Sequence, residues 1–212
     1  MMSAAREEVL GRIRTALGAE PRVIEIPRDY VVASRLDRDA QVERFAERAA
    51  EYRATVWRCG IDDVHEAVGA ALAEHGAQRL VVPGDLPGGW RPDGFEWLED
   101  GGLDPAALDG ADGVVTGCAL AIAETGTIVL DGGARQGRRA LTLLPDLHVC
   151  VVRAEQVVGT VPEGIRRLGE AVRTGRRPVT FISGPSATSD IELNRVEGVH
   201  GPRRLEIVLA TR

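Results

Sequence analysis

Apolar residues recur at helical spacing in two segments near the start of the chain. Val9 and Ile13 fall on one side of a helix predicted over residues 4–17, and Gly18 follows as a stop signal. A second helix is predicted over residues 36–53, where apolar positions again share one face. We therefore expect an N-terminal helical segment, residues 1–53, ahead of a differently patterned remainder.

From residue 54 onward, short apolar runs alternate with helical segments. Helices are predicted over 61–75 and 162–173. The predicted strands cover residues 54–58, 79–82, 112–116, 118–123, 127–130, 147–152, 179–182 and 205–210. Alternation of this kind is typical of an α/β domain with a largely parallel sheet covered on both faces. We assign that domain to residues 54–212.

The charged residues exclude several classes of function. The net charge is −6, which argues against nucleic acid as the main partner. All 26 basic residues are arginines, so a Walker-type phosphate loop and Schiff-base chemistry both lack their lysine. Any anion site must therefore use arginine side chains or backbone N–H groups.

The cysteines and the hydropathy pattern indicate which metal sites and which cellular compartment to expect. Cys59, Cys118 and Cys150 are scattered and form no Cys-x-x-Cys pair, so we expect neither a disulfide framework nor an iron–sulfur or other metal site on this chain. No apolar run approaches the ~20 residues of a membrane span, and the first residues lack the apolar core of a signal peptide. We expect a cytoplasmic protein.

A polar turn follows the predicted strand over residues 179–182. Gly184 and Pro185 end the strand, and small hydroxyls and carboxylates come next. Such residues at the carboxyl end of a parallel strand are typical of a ligand site, although the same residues also cap helices. The candidate ligand-binding residues in this segment are Gly184, Ser186, Thr188, Ser189, Asp190 and Glu192.

Two further segments carry candidate chemistry. Glu124 lies in the turn Glu-Thr-Gly-Thr between two predicted strands, where it is either a base or nucleophile or a carboxylate that accepts backbone N–H bonds. We include its neighbours Thr125, Gly126 and Thr127 among the ligand-binding candidates. His200, in a glycine-containing turn and followed by Arg203, either contacts an anionic ligand or bonds to its own loop.

Two features of the middle of the chain are less specific. Arg135, Arg138 and Arg139 lie in a glycine-rich loop, which is either a mobile surface loop or a lid that contacts an anion. His148 and Cys150 share one face of a predicted strand, and we interpret them as core residues because two ligands do not make a zinc site.

Three motifs together resemble one known family. They are Gly-Pro-Ser-Ala-Thr-Ser-Asp-Ile-Glu from Gly184 with Gly-Val-His-Gly-Pro-Arg from Gly198, Ala-Ile-Ala-Glu-Thr-Gly-Thr-Ile-Val-Leu from Ala121, and Leu-Leu-Pro-Asp-Leu-His-Val-Cys-Val-Val from Leu143. In this order and spacing they are similar to the LUD, or lactate-utilisation, domain family of the LutC or YkgG type. The resemblance spans residues 111–209.

The resemblance implies a fold and a functional setting. The fold is the three-layer α/β/α arrangement of glucosamine-phosphate deaminases, ribose-phosphate isomerases and coenzyme A transferases. The setting is oxidation of L-lactate to pyruvate, with iron–sulfur clusters on partner proteins and none on this chain. A small carboxylate or phosphate ligand fits this setting. Related transferases use a glutamate nucleophile, but the residues flanking Glu124 differ from their motif. A stand-alone enzyme or a non-catalytic scaffold remain the alternatives.

Overall fold

The computed structural model describes residues 4–18, 25–175, 177–189, 195–197 and 201–211. Its contacts divide the chain into two compact units, Met1–Tyr30 and Val31–Arg212. The first unit contains helix α1 (Ala4–Leu17), on which Glu8 and Arg12 form an i,i+4 ion pair. Asp190, Glu192 and His200, three of the predicted site residues, lie outside the described residues.

A six-stranded sheet forms the centre of the second unit, and all of its strand pairs are parallel. The strands are β1 (Thr55–Gly60), β2 (Arg79–Pro83), β3 (Glu96–Asp100), β4 (Gly113–Gly117), β7 (Leu147–Arg153) and β12 (Arg204–Thr211). Their order across the sheet is β1-β12-β7-β4-β2-β3. The predicted α/β class with a mostly parallel sheet is confirmed.

A second, mixed sheet lies beside the first. Its strands are β5 (Leu120–Ile122), β6 (Thr127–Leu130), β8 (Val157–Val158) and β9 (Thr180–Ile182). Strands β10 (Ala187–Ser189) and β11 (Arg195–Glu197) form a separate antiparallel pair. The order is β8-β5-β6-β9, with β6 antiparallel to both of its neighbours. The strand before the Gly184 turn is therefore antiparallel to β6, although we expected it in the parallel sheet.

Helices cover the parallel sheet on both faces. Helix α2 (Arg38–Glu51) begins at Asp37, whose side chain accepts a hydrogen bond from the N–H of Ala40 at 2.9 Å. Its buried residues recur at helical spacing and pack into the same core cluster as β7 and β12. Helix α2 thus belongs to the unit Val31–Arg212, whereas we predicted it in a separate N-terminal segment.

The remaining helices complete the layers. Helix α3 (Val64–Glu74) packs on the opposite face of the parallel sheet from α2, in a core cluster with β2 and β7. The short helix α4 (Pro105–Asp109) is capped by Asp104. Helix α5 (Val161–Gly175) packs through Leu168 on the small mixed sheet. No described helix is long and apolar enough to cross a membrane.

A buried carboxylate lies inside the layer between α3 and the sheet. Glu206 of β12 is only 2% exposed, and its oxygens accept a hydrogen bond from the indole N–H of Trp57 at 2.6 Å and meet His75 Nε2 at 2.8 Å. Because a buried charge is costly without partners, these two contacts explain how Glu206 is accommodated in the core.

Candidate functional site

A pocket of about 240 Å³ lies at the amino ends of β7 and β12. Its wall is completed by the segment after β9 and by a 3₁₀ turn, Arg139–Thr142, that precedes β7. The lining residues are Arg139, Thr142, His148, Thr180, Phe181, Ile182, Ser183, Gly184, Pro185, Ser186, Gly201, Pro202 and Leu205. We expected the ligand site at the carboxyl ends of the parallel strands. This pocket lies at their amino ends because β9 runs in the other sheet.

His148 forms the floor of the pocket. Its side chain is 1% exposed, and its Nε2 lies 2.8 Å from the hydroxyl of Thr116 on the neighbouring strand. Burial, reinforced by the nearby charge of Arg139, lowers the pKa of His148 to about 3. The imidazole is therefore neutral at physiological pH. It is both the core residue that we predicted and part of a polar pocket floor.

Arg139 supplies the positive charge of the pocket. One of its terminal nitrogens donates hydrogen bonds to the carbonyl oxygen of Thr142 at 2.6 Å and to the Thr142 hydroxyl at 2.9 Å. Partial burial lowers the pKa of Arg139, but a guanidinium keeps its charge in proteins. Among the described residues, no carboxylate lies within ion-pair distance of Arg139. Its charge is thus available to an anionic ligand.

Three hydroxyls connect the Glu124 turn to this pocket. The Thr127 hydroxyl lies 2.7 Å from the Ser183 hydroxyl in the pocket wall, and 2.7 Å from the Thr125 hydroxyl on its other side. These contacts follow from the pairing of β6 with β9, which places Ile128 opposite Ile182. Two of the predicted motifs, distant in sequence, therefore meet in space.

The glycines of these two motifs allow close packing against helix α2. A Cβ atom at Gly126, where φ is +59°, would collide with the backbone nitrogen of Ala49. At Gly184, where φ is +78°, a Cβ atom would collide with the carbonyl oxygen of Tyr52. Both positions also need the left-handed backbone that favours glycine. Their role in the structure is to let helix α2 pack closely against these two turns.

The other predicted site residues are placed as follows. Glu124 is exposed and does not line the pocket; no hydrogen bond or ion pair joins its side chain to another described residue.

Ser186 lines the pocket, and its backbone N–H donates to the carbonyl of Pro202 at 2.8 Å. The guanidinium of Arg203 donates to Asp146 at 2.7 Å, which ties the start of β12 to the loop before β7. Thr188 and Ser189 belong to strand β10.

A second pocket of about 320 Å³ adjoins the first. The two share Arg139, Thr142 and Thr180, so the arginine stands at their boundary. The rest of the second pocket comes from the glycine-rich loop after β6 and from Arg177 and Pro178 before β9. Within the described ranges, no group of three or more His, Cys, Asp or Glu side chains is placed to hold a metal ion.

The candidate residues that sequence reasoning undervalued are His148 and Thr142. A histidine inside an otherwise apolar strand must have a polar partner when it is buried, and this was the available signal. Thr142 carried no such signal. Its position in the wall depends on the 3₁₀ turn and on contacts that no local pattern encodes.

Comparison with known proteins assigns the family. The model of the LUD domain matches residues 42–210, so the chain belongs to the LUD domain family. A protein named lactate utilization protein C from Deinococcus radiodurans is 46% identical over 207 residues, which cover 97% of this chain and 95% of that protein. A protein of the same name from Halalkalibacterium halodurans is 28% identical and covers 96% of each chain.

A solved structure supports the fold as well. The crystal structure of a DUF162 family protein from Deinococcus radiodurans, at 1.70 Å resolution, is similar to this chain with a TM-score of 0.72 and 42% sequence identity. The match covers 82% of this chain and 99% of that one.

Proposed function

We propose that this protein acts in lactate utilisation as the component that binds a short 2-hydroxy or 2-oxo acid, L-lactate or pyruvate. The family and the names of two relatives support this role. Oxidation of L-lactate to pyruvate releases two electrons and two protons. In this proposal, partner proteins that carry iron–sulfur clusters accept the electrons, and this chain holds the organic acid.

The observation that carries the proposal is the charge and shape of the pocket around Arg139. A guanidinium without a carboxylate partner among the described residues can bind a carboxylate through two parallel hydrogen bonds. The hydroxyls of Thr142 and Ser183 offer hydrogen bonds to a 2-hydroxyl or 2-oxo group. The neutral His148 adds polarity without a competing positive charge.

The cysteines support placing the clusters on partners. A cluster of the usual type needs four thiolates, and the chain has three cysteines. Cys118 and Cys150 are buried, and a hydrogen bond to Cys118 together with burial raises the pKa of Cys150 well above its ordinary value. A thiol held in its protonated form is a poor metal ligand.

The proposal is tested by calorimetric titration of the purified full-length protein with L-lactate and with pyruvate. Arg139→Gln should weaken binding by about 10- to 150-fold, because it removes a charge-assisted contact of about 1.5–3 kcal/mol. Arg79→Gln is the matched control, since that exposed arginine of β2 pairs with Glu96 on the edge strand β3 and lines neither pocket. If the wild type binds the acid and Arg139→Gln binds it with the same affinity, the acid binds elsewhere on the protein.

A genetic experiment tests the role in the cell. A strain that lacks the protein should regain growth on L-lactate with the wild-type gene and not with the Arg139→Gln gene.

A biochemical experiment tests the electron transfer. Purified protein mixed with its iron–sulfur partners should give lactate-dependent reduction of the clusters, which is measured through the visible absorbance of the clusters. If this chain alone oxidises lactate with a dye as electron acceptor, the proposal that it only binds the acid while partner proteins accept the electrons is contradicted. Turnover of a sugar phosphate or an acyl-coenzyme A, without lactate binding, would favour the stand-alone enzyme.

A further inference from the structure

An arginine-rich groove lies apart from the pocket just described. Its volume is about 330 Å³, and its described lining carries four arginines, Arg135, Arg153, Arg167 and Arg177. Only two carboxylates, Asp131 and Glu155, belong to the described lining of the same groove. In a protein with a net charge of −6, this local excess of positive charge is an exception that needs a physical reason.

Two of the four guanidiniums are held by the two carboxylates. Arg177 lies 3.2 Å from Asp131, and Arg153 lies 3.2 Å from Glu155. Asp131 also accepts hydrogen bonds from the Gln136 side chain and the N–H of Gly133, both at 2.9 Å. These pairs fix the walls of the groove and leave their own charges largely balanced.

The other two guanidiniums have no carboxylate partner in the described part of the chain. Arg167 of helix α5 donates one hydrogen bond, to the backbone carbonyl of Glu155 at 3.3 Å. The guanidinium of Arg135 lies 5.9 Å from the centre of the Trp90 ring, which attracts the cation but leaves its N–H edges free. Both residues belong to the described lining of the groove, and neither of their charges is balanced there by a described carboxylate.

Arg135 is also held in place by its backbone. Its N–H donates to the Asp85 carboxylate at 2.7 Å, and its carbonyl oxygen accepts from the N–H of Gly117 at 2.7 Å. Its φ of +64° is in the left-handed region, which a residue with a side chain occupies only at a cost. The fold therefore holds this arginine at the groove in an unfavourable backbone conformation.

We propose that this groove binds a phosphate group of a small molecule, with Arg135 and Arg167 as its anchors. Two arginines with unbalanced charges match the two negative charges of a phosphate monoester, and guanidinium forks suit phosphate oxygens. The groove shares no lining residue with the pocket around His148, so this site goes beyond the proposed lactate role. Arg177, Asp131 and Gln136 join it instead to the second pocket, which has room for the rest of such a molecule.

Calorimetric titration with pyrophosphate at physiological ionic strength tests the site on the full-length protein. We expect wild-type protein to bind pyrophosphate, and Arg135→Gln and Arg167→Gln each to weaken binding by about tenfold or more. Arg44→Gln is the control, because Arg44 is exposed on α2 and lines neither the groove nor the two pockets. It should change the affinity less than about twofold, as expected for a distant, screened charge.

Two further measurements separate this site from its neighbours. Arg135→Gln and Arg167→Gln should each keep the lactate affinity of the wild type, because neither residue lines the pocket around His148. Emission from Trp90 should change on titration, and Trp90→Phe should abolish that change, because Arg135 lies over the ring. Absence of pyrophosphate binding by the wild type at millimolar concentration would overturn the proposal. A loss of affinity in Arg44→Gln equal to that in the two groove variants would also overturn the proposal, because it would show that pyrophosphate responds only to the net charge of the protein. Melting curves confirm that each variant is folded.

Discussion

The turn at Gly126 gives the sharpest test of how the shared motifs work. The change is Gly126→Ala, which adds one methyl group at a position where φ is +59°. That methyl group would collide with the backbone of Arg48 and Ala49 in helix α2. If the glycine allows helix α2 to pack closely against this turn, the variant must displace the helix from its core cluster.

The expected loss of stability has two parts. Placing an alanine in the left-handed region costs about 1–2 kcal/mol. Displacing a packed helix backbone adds about 1–3 kcal/mol, the usual range for overpacking. Gly76→Ala isolates the first part, because Gly76 has a φ of +62° and a Cβ atom added there would meet nothing within 4 Å. The two variants thus share one penalty and differ in the other.

The assay is urea unfolding of both variants beside the wild type, followed by circular dichroism. Gly126→Ala should lose at least about 1 kcal/mol more than Gly76→Ala. In a thermal scan, that difference corresponds to a further drop of about 2–4 °C for a chain of this size. Equal losses in the two variants would refute the reasoning, because they would show that contact with α2 adds nothing at Gly126.

Three other variants test single contacts. The lowered pKa of His148, about 3 against an ordinary 6.5, means that only the unfolded chain takes up this proton between those values. Stability of the wild type relative to His148→Gln should therefore fall by about 1.4 kcal/mol per pH unit as the pH drops below 6.5, and a constant difference in unfolding free energy would contradict this. Trp57→Phe removes a hydrogen bond to the buried Glu206 carboxylate and should cost about 1.5–3 kcal/mol in urea unfolding. Glu124→Gln should stay within about 0.5 kcal/mol of the wild type, and a loss of about 1–2 kcal/mol would show that this carboxylate accepts backbone hydrogen bonds.

The central layers of the fold could be predicted from the sequence because their patterns are strong. Strand β7 is buried on both faces from Leu147 to Val152, and its apolar run is long enough to indicate a central parallel strand. Helix α2 has its buried residues at helical spacing. Strand β3 was not predicted, because Glu96–Asp100 is an edge strand with charged residues, and two-residue β8 is too short for any periodic signal.

The orientation of β9 explains why the site was only partly predictable. An apolar run such as residues 179–182 indicates a strand but not its partner. Pairing of β9 with β6 is set by contacts between residues far apart in the chain, as between Ile128 and Ile182. The rule about carboxyl ends of parallel strands therefore pointed to a segment that lines a pocket, Gly184 to Ser186, but that pocket lies at the amino ends of β7 and β12.

The glycine-rich loop over residues 131–139 links these separate observations. Its last residue, Arg139, stands between the two pockets, and Arg135 lines the groove. The loop is held between them by the Asp131 carboxylate, which accepts hydrogen bonds from its own turn and from the Gln136 side chain. The sequence offered two interpretations of this loop, a mobile surface segment or a lid that contacts an anion. The hydrogen bonds of Asp131 hold one end of the loop, and Arg135 and Arg139 line separate cavities, which supports the interpretation that this loop contacts an anion.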